Sequence, residues 1–282
     1  MQRCTSLFSS GVEHPSPLGF KSPLRKLIIM ISIGVLTYSA PNTLENTLTT
    51  YRRSGLLELT DDIFVVINYS TLQSEEEAVC KKFNLRYISL QTNTLMAGGF
   101  RTIFQNAKYE TILFLENDFM IGRAVSKETT ASFINQAIVF LNAGYDIVRG
   151  RRRDNAGYPN HAHLNLPSLA NEVIADHEHL SETMYWMTDP EQVFPNKINR
   201  IKGMNPNEKW YTAGSYSCAY TNNPYICTKE FFRKAILPYL PMVGHIEDTI
   251  IPYWRAANHK CVFGPGLFTH NDINKYASLA QE

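Results

Sequence analysis

Two acidic pairs and a late histidine are the side chains in this sequence best placed to do chemistry. Glu116-Asn117-Asp118 follows directly on the apolar run 112–115. Hard divalent cations prefer carboxylate oxygens, so Asp118, with Glu116 beside it, could hold such an ion, and the ion could hold a diphosphate. A metal that bridges two phosphates leaves few positions for protein ligands, so one or two carboxylates suffice. Asp and Asn after a strand also make ordinary turns, and the tripeptide read alone favours that. Glu247-Asp248 is the second pair. At a helix start such acids are stabilised by the helix dipole, and either could also take a proton from a hydroxyl as a general base. His270 follows Gly264-Pro265-Gly266 and a short apolar run. An imidazole there can ligate a metal, although a lone histidine is more often a surface residue. Asp272 is a weaker candidate beside it. His161, His163, His177 and His179 lack partners at a recognisable zinc spacing and read as loop residues.

The elements that position these residues are legible in the hydrophobic pattern. An unbroken apolar run such as 112–115 suits a strand buried on both faces, and in open α/β sheets ligands collect beyond the carboxyl ends of the strands. Further strands are expected over 31–37, 63–67 and 85–90, with helices over 42–55, 74–83 and 93–108. Asn42 with Glu45, and Ser74 with Glu77, have capping-box spacing. Leu44, Leu48 and Tyr51 share one helical face. The order βαβαβαβ with short connections implies a parallel, doubly wound α/β sheet. Gly98-Gly99 lies inside the third helix. Each glycine there costs ~1 kcal/mol relative to Ala, which points to close approach of a ligand or of another backbone, or equally to tight helix–sheet packing.

A fourth helix runs from Ser126 to about 143, and a strand follows over 145–148. Residues 150–211 show little periodicity. Arg151-Arg152-Arg153 opens that stretch as a solvated face or an anion site. Order returns with strands over 216–220 and 225–227, and with a helix capped by Thr228. An irregular helix then runs from Gly244 to about 258, and the last strand covers 260–263.

Composition limits the function classes. The chain has 282 residues, 44% hydrophobic and 19% charged, with a formal net charge of +1. That charge gives no general attraction to nucleic acid or an anionic membrane. The five cysteines are scattered without metal spacing, as expected of reduced thiols in a cytoplasmic compartment. Residues 27–36 follow three basic residues as in a signal peptide, yet the run is too short to span a bilayer. A buried first strand behind a disordered tail over 1–25 is the preferred reading.

The ordered set of stretches resembles GT-A glycosyltransferases, most closely the inverting family 2 type. Gly34 to Tyr38 with Ser39-Ala40-Pro41-Asn42 resembles the first strand and turn that meet the nucleobase. Residues 64–70 resemble the second strand, although Asn68-Tyr69-Ser70 stands where the family has an acidic pattern. Residues 99–107 resemble the helix before the metal strand, and Glu116-Asn117-Asp118 resembles the DxD motif as ExD. Glu247-Asp248 resembles the ED base motif, and His270 stands where several such enzymes place a metal ligand.

The resemblance implies one GT-A domain over 26–282, with a nucleotide-sugar half (26–122) and an acceptor half (123–282). It implies donor contacts from Thr37, Tyr38, Asn68, Gly99, Arg101, Glu116 and Asn117. It also implies Mn²⁺ or Mg²⁺ on Asp118 and His270, and a base at Asp248 with Glu247 as second choice. Trp210, Tyr216, Asn222 and Asn223 would line the acceptor side. The donor would be a nucleotide-sugar, with UDP-sugars favoured, and the acceptor a glycan or other hydroxyl. A sugar-nucleotide-forming nucleotidyltransferase and a non-catalytic sugar-binding module are the alternatives. The first usually carries a Gly-rich basic loop after its first strand, where this chain has Tyr38-Ser39-Ala40-Pro41.

Overall fold

The computed structural model describes residues 29–152, 189–218, 220–242 and 245–270. The tail, Arg153, Asp272 and the four loop histidines lie outside the described residues. The first half alternates strand and helix: β1 (Ile31–Thr37), α1 (Pro41–Arg53), β2 (Asp62–Ile67), α2 (Gln73–Lys82), β3 (Arg86–Ser89), α3 (Leu95–Asn106), β4 (Thr111–Glu116) and β5 (Phe119–Ile121). The second half continues with α4 (Lys127–Asn142), β6 (Ile147–Arg151), α5 (Pro190–Val193), β7 (Ile198–Ile201), β8 (Trp210–Gly214) and β9 (Tyr225–Thr228). It ends with α6 (Lys229–Phe231), α7 (Ile246–Ala257) and β10 (Lys260–His270).

The strands form one sheet in the order β3-β2-β1-β4-β9-β6-β10-β8-β7, with β5 paired to β10. Strands β1 to β4 are mutually parallel. β9 runs antiparallel between β4 and β6, so β6 and the parallel β10 keep the direction of the first four. Only β5, β8 and β9 oppose that direction among the described strands. β1 is buried along its whole length, as the apolar run requires. Helices cover both faces of the sheet, which is the doubly wound α/β arrangement expected. Leu44, Leu48, Tyr51, Phe133 and Phe140 of α1 and α4 pack in one core. Phe100 and Ile103 of α3 join Ile250 and Trp254 of α7 in the other. There Phe114 stacks on Tyr225 and on Phe232, with centroids 5.0 and 4.7 Å apart.

Local chemistry departs from the sequence pattern at several helix ends. Neither capping box forms. Ala40 and Leu72 are the N-cap residues and make no side-chain cap; Pro41, with its preset φ, starts α1. Glu45 instead meets Lys82 at 2.6 Å, and Glu77 accepts from the Ser89 hydroxyl at 2.6 Å. Ser126 and Thr228 do cap α4 and α6 through their hydroxyls. The strand expected over 216–220 is instead β8, a few residues earlier, and Ser217 closes a turn onto the Gly214 carbonyl. The last strand runs on past Phe263 through an irregularity to His270. Gly266 makes that possible: its φ is +68°, and a Cβ there would lie 2.2 Å from the Arg151 carbonyl oxygen. α7 starts at Ile246 and carries Pro252 inside it.

Trp210 corrects an expectation. It is fully buried, stacked on Phe133 with centroids 5.4 Å apart and tilted against Phe140. A Cβ at Gly264 would lie 2.2 Å from its ring. The indole therefore builds the core under α4 and offers no face to an acceptor. Trp210→Ala should lower unfolding stability by about 3–5 kcal/mol in urea titrations. A loss below about 1 kcal/mol would contradict the core assignment.

Candidate functional site

The site lies at the carboxyl end of β4, where the backbone leaves the sheet and is caught by α1. The Asn117 amide donates to the Leu36 carbonyl at 2.9 Å, continuing the β1 ladder one residue past β4. Thr47 donates its hydroxyl to the Asn117 carbonyl at 2.6 Å, and Tyr51 donates to the Phe119 carbonyl at 2.6 Å. Arg53 donates to the Ile121 carbonyl at 2.8 Å, and the Ile121 amide donates to Thr50 Oγ1 at 3.0 Å. One face of α1 therefore fixes the backbone on which Asp118 sits. Tyr51 stands out in the sequence only as part of the apolar face, and Thr47, Thr50 and Arg53 carry no signal there, because polar residues on an amphipathic helix look like a solvated face.

β5 turns the chain back onto β10, in a register that pairs Phe119 with His270. This brings His270 Nε2 to 3.1 Å from Asp118 Oδ2. Asp118 Oδ1 is buried and has no hydrogen-bond partner. A carboxylate oxygen out of water and without a donor is costly unless a cation or a ligand meets it. A carboxylate and an imidazole side by side suit a divalent cation that takes further oxygens from a ligand. Among the described residues no group of three or more His, Cys, Asp or Glu side chains could hold a metal ion without such help.

Acidic groups crowd this point. The Glu116 carboxyl is pushed up to about 8, first by burial and then by the charges of Asp118 and Glu247. Burial and the Asp118 charge also raise the Tyr51 phenol. Glu247, from the first turn of α7, thus reaches the same cluster as Glu116 and Asp118. Its Oε1 accepts from the Asn222 amide at 2.7 Å. Asp248, the next residue, is exposed.

The loop before β9 lies beside these acids. Arg149, buried in β6, donates to the Thr221 carbonyl at 2.8 Å and sits 5.8–5.9 Å from the ring centres of Tyr220, Tyr225 and Trp254. Arg151 donates to Asn223 Oδ1 at 3.0 Å. Arg151 of the arginine run thus orders this loop. Asn222 Oδ1 is buried without a partner, an acceptor atom left over at the edge of the acidic cluster. Arg149 gave no signal in the sequence, since a single arginine in a short strand is not a pattern.

The structure corrects several donor-side expectations. Asn68 is buried and spends its side chain on its own surroundings. It donates to Asn93 Oδ1 and the Leu95 carbonyl and accepts from the amides of Tyr69 and Thr94. It clamps the start of α3 and has no edge for a nucleobase. Gly99 is a packing glycine: a Cβ there would lie 2.3 Å from Leu36 Cδ1. Arg101 donates to the Leu240 carbonyl at 2.5 Å, so its guanidinium ties α3 to the chain after α6. Thr37 is buried, and its hydroxyl donates to Glu76 Oε1 at 2.6 Å while accepting from Asn117 Nδ2 at 3.0 Å. Tyr38, by contrast, is exposed at the carboxyl end of β1, followed by Ser39 at φ +52°.

On the acceptor side, Tyr216 is exposed but lies at the wrong pole. Gly214 pairs with Lys260 at the start of β10, whereas His270 closes the other end of that strand. Asn222 and Asn223 lie in the loop before β9, where the Asn222 amide meets Glu247 and Asn223 meets Arg151.

Residues 32–167 match the family described as Glycosyl transferase family 2, so the resemblance read from the residues holds over that segment. The match includes Asp118 and ends before Glu247, Asp248 and His270. Among curated proteins no match was found. Solved structures with a similar course include a mannosyltransferase, PcManGT from Pyrobaculum calidifontis, in complex with GDP-Man and Mn²⁺. That match is 12% identical with a TM-score of 0.48 and covers 82% of this chain and 53% of that one. S. aureus TarS 1-349 is 13% identical with a TM-score of 0.49, covering 89% and 63% respectively. A mycobacterial protein is 14% identical at a TM-score of 0.47, covering 86% and 67%. The chain therefore spans less than two thirds of the length of the first two.

The raised Glu116 carboxyl makes stability depend on pH. Its folded value of about 8 exceeds the ordinary 4.5, so the folded state holds the proton more tightly between those values. Stability is then full below the unfolded value and declines as pH rises through the folded one. Thermal melts with chelator present should show this decline from about pH 5 to about pH 9, and Glu116→Gln should flatten it. An equal slope in that variant would contradict the assignment.

Proposed function

Starting from a glycosyltransferase family 2 segment over residues 32–167, we propose that this chain transfers a sugar from a nucleotide-diphosphate donor to an acceptor hydroxyl with inversion. The observation that carries the proposal is the unpartnered, buried Asp118 Oδ1 beside His270, at the carboxyl end of a strand in a doubly wound sheet. Asp118 and His270 would hold a divalent cation, Mn²⁺ or Mg²⁺, which when bound supplies Lewis acidity to a departing diphosphate.

The remaining roles belong to the chain itself. Tyr38 presents an exposed ring for the donor base at the end of β1. Glu116, half-buried two residues before Asp118, serves the donor's ribose. Asn117 fixes the turn. Glu247 is engaged with the Asn222 amide and so orders the acceptor loop. Exposed Asp248 takes the proton from the acceptor hydroxyl. The acceptor oxygen forms its bond to the anomeric carbon as the bond to the diphosphate oxygen breaks on the opposite face. A single displacement of this kind inverts the anomeric configuration. Asn222 and Asn223 orient the acceptor.

Screening UDP-, GDP- and dTDP-sugars with Mn²⁺ should identify a donor whose transfer or hydrolysis is metal-stimulated. Asp118→Ala should lose about 100-fold or more of that rate; full activity of the variant with chelator present would remove the metal role. Asp248→Asn should bind donor within about threefold of wild type while kcat falls about 10²–10⁴-fold. Normal turnover by Asp248→Asn would remove it as the base.

A further inference from the structure

Glu76 is a fully buried glutamate on α2, with no exposed surface. Its Oε1 accepts from the Thr37 hydroxyl at 2.6 Å and from the Ala40 amide at 3.2 Å. Its Oε2 is buried and has no hydrogen-bond partner. Burying a carboxylate is expensive, and leaving one oxygen unmatched adds to the cost. A residue kept only for stability would be better served here by an apolar side chain. Part of the charge is offset by its place at the start of α1, where Ala40 is the N-cap.

The contacts around Glu76 form a directed chain. Thr37 has one hydroxyl proton and gives it to Glu76, so its oxygen faces Asn117 as an acceptor. Asn117 Nδ2 fills that position at 3.0 Å, and the Asn117 backbone is held by Leu36 and Thr47. Glu76 therefore touches, directly or through one hydroxyl, both turns that would flank a nucleotide. One is Thr37 to Ala40 after β1, and the other is the acidic turn after β4.

We propose that Glu76 is a positioning residue: by fixing the direction of the Thr37 hydroxyl it locks the β1 turn to the Asn117-Asp118 turn. The two halves of the donor site then move as one unit. A neutral glutamine keeps an oxygen that can accept from Thr37 and Ala40. An alanine leaves Thr37 free to reverse its hydroxyl, which breaks the link to Asn117. The consequence for donor binding rests on the glycosyltransferase reading; the mechanical link does not.

Hydrogen exchange separates the two. In Glu76→Ala, the amides of 117–121 should exchange about tenfold faster, while peptides from β8 and from residues 260–263 of β10 are unchanged. Glu76→Gln should retain wild-type protection. Thr37→Val, which keeps shape but removes the hydroxyl, should loosen 117–121 as Glu76→Ala does, and the double variant should be no looser than either single one. If Glu76→Ala does not fold, Thr37→Val carries the test. Loosening confined to 37–40, or spread evenly over the sheet, would overturn the link, as would equal effects of Gln and Ala. In parallel, UDP, GDP and dTDP binding with Mn²⁺ should weaken about tenfold in Glu76→Ala and Thr37→Val but not in Glu76→Gln. Failure of the wild type to bind any of these nucleotides would refute the glycosyltransferase reading, and the exchange data would still decide the link.

Discussion

Carboxyl groups crowded together oppose one another's ionisation, and this fold brings three of them, each half-buried, to the end of one strand. Glu116, Asp118 and Glu247 share an environment in which the Glu116 carboxyl is driven up to about 8. Such a cluster opens unless its backbone is held by something other than its own side chains. Here α1 supplies that hold through Thr47, Thr50, Tyr51 and Arg53, and the β1 ladder through Leu36. The electrostatic cost is concentrated on side chains while the main chain stays fixed. A cation that enters the cluster removes that cost, so the same arrangement that opposes stability favours binding.

Topology explains how distant residues meet at this point. β9 enters antiparallel between β4 and β6, so the loop preceding it emerges beside the carboxyl end of β4. That loop is held by Arg149 and Arg151 from β6 and by Glu247 from α7. β10 runs alongside β6, and its irregularity at Gly264-Pro265-Gly266 lets it continue far enough to place His270 against Asp118. Residues from four separate elements thus converge without any local sequence motif joining them.

Much of the first half, through β5, was legible in the sequence because its strands are short apolar runs and its helices keep one apolar face. β1 was placed to the residue, and β4 was read from 112–115 with the acidic tripeptide at its end. The second half was less legible. Strand β8 was misplaced because its glycine-closed end and the following Tyr216 read as a strand start. Trp210 read as a sugar platform because an aromatic residue carries no mark of its depth. Asn68, Gly99 and Arg101 carry residue types that suit ligand binding, and each is consumed by a tertiary contact that no pattern of spacing records. Glu76 was hidden for the opposite reason: within the run Glu75-Glu76-Glu77 it looks like one more solvated acid.

In the proposed function the acidic turn after β4 binds a nucleotide diphosphate through a divalent cation. Isothermal titration of UDP, GDP and dTDP into the wild-type protein, with Mn²⁺ and again with chelator, tests it most directly. At least one nucleotide should bind with Mn²⁺, and chelation should weaken it by about tenfold or more. Nucleotide binding of equal strength with and without the metal would contradict it.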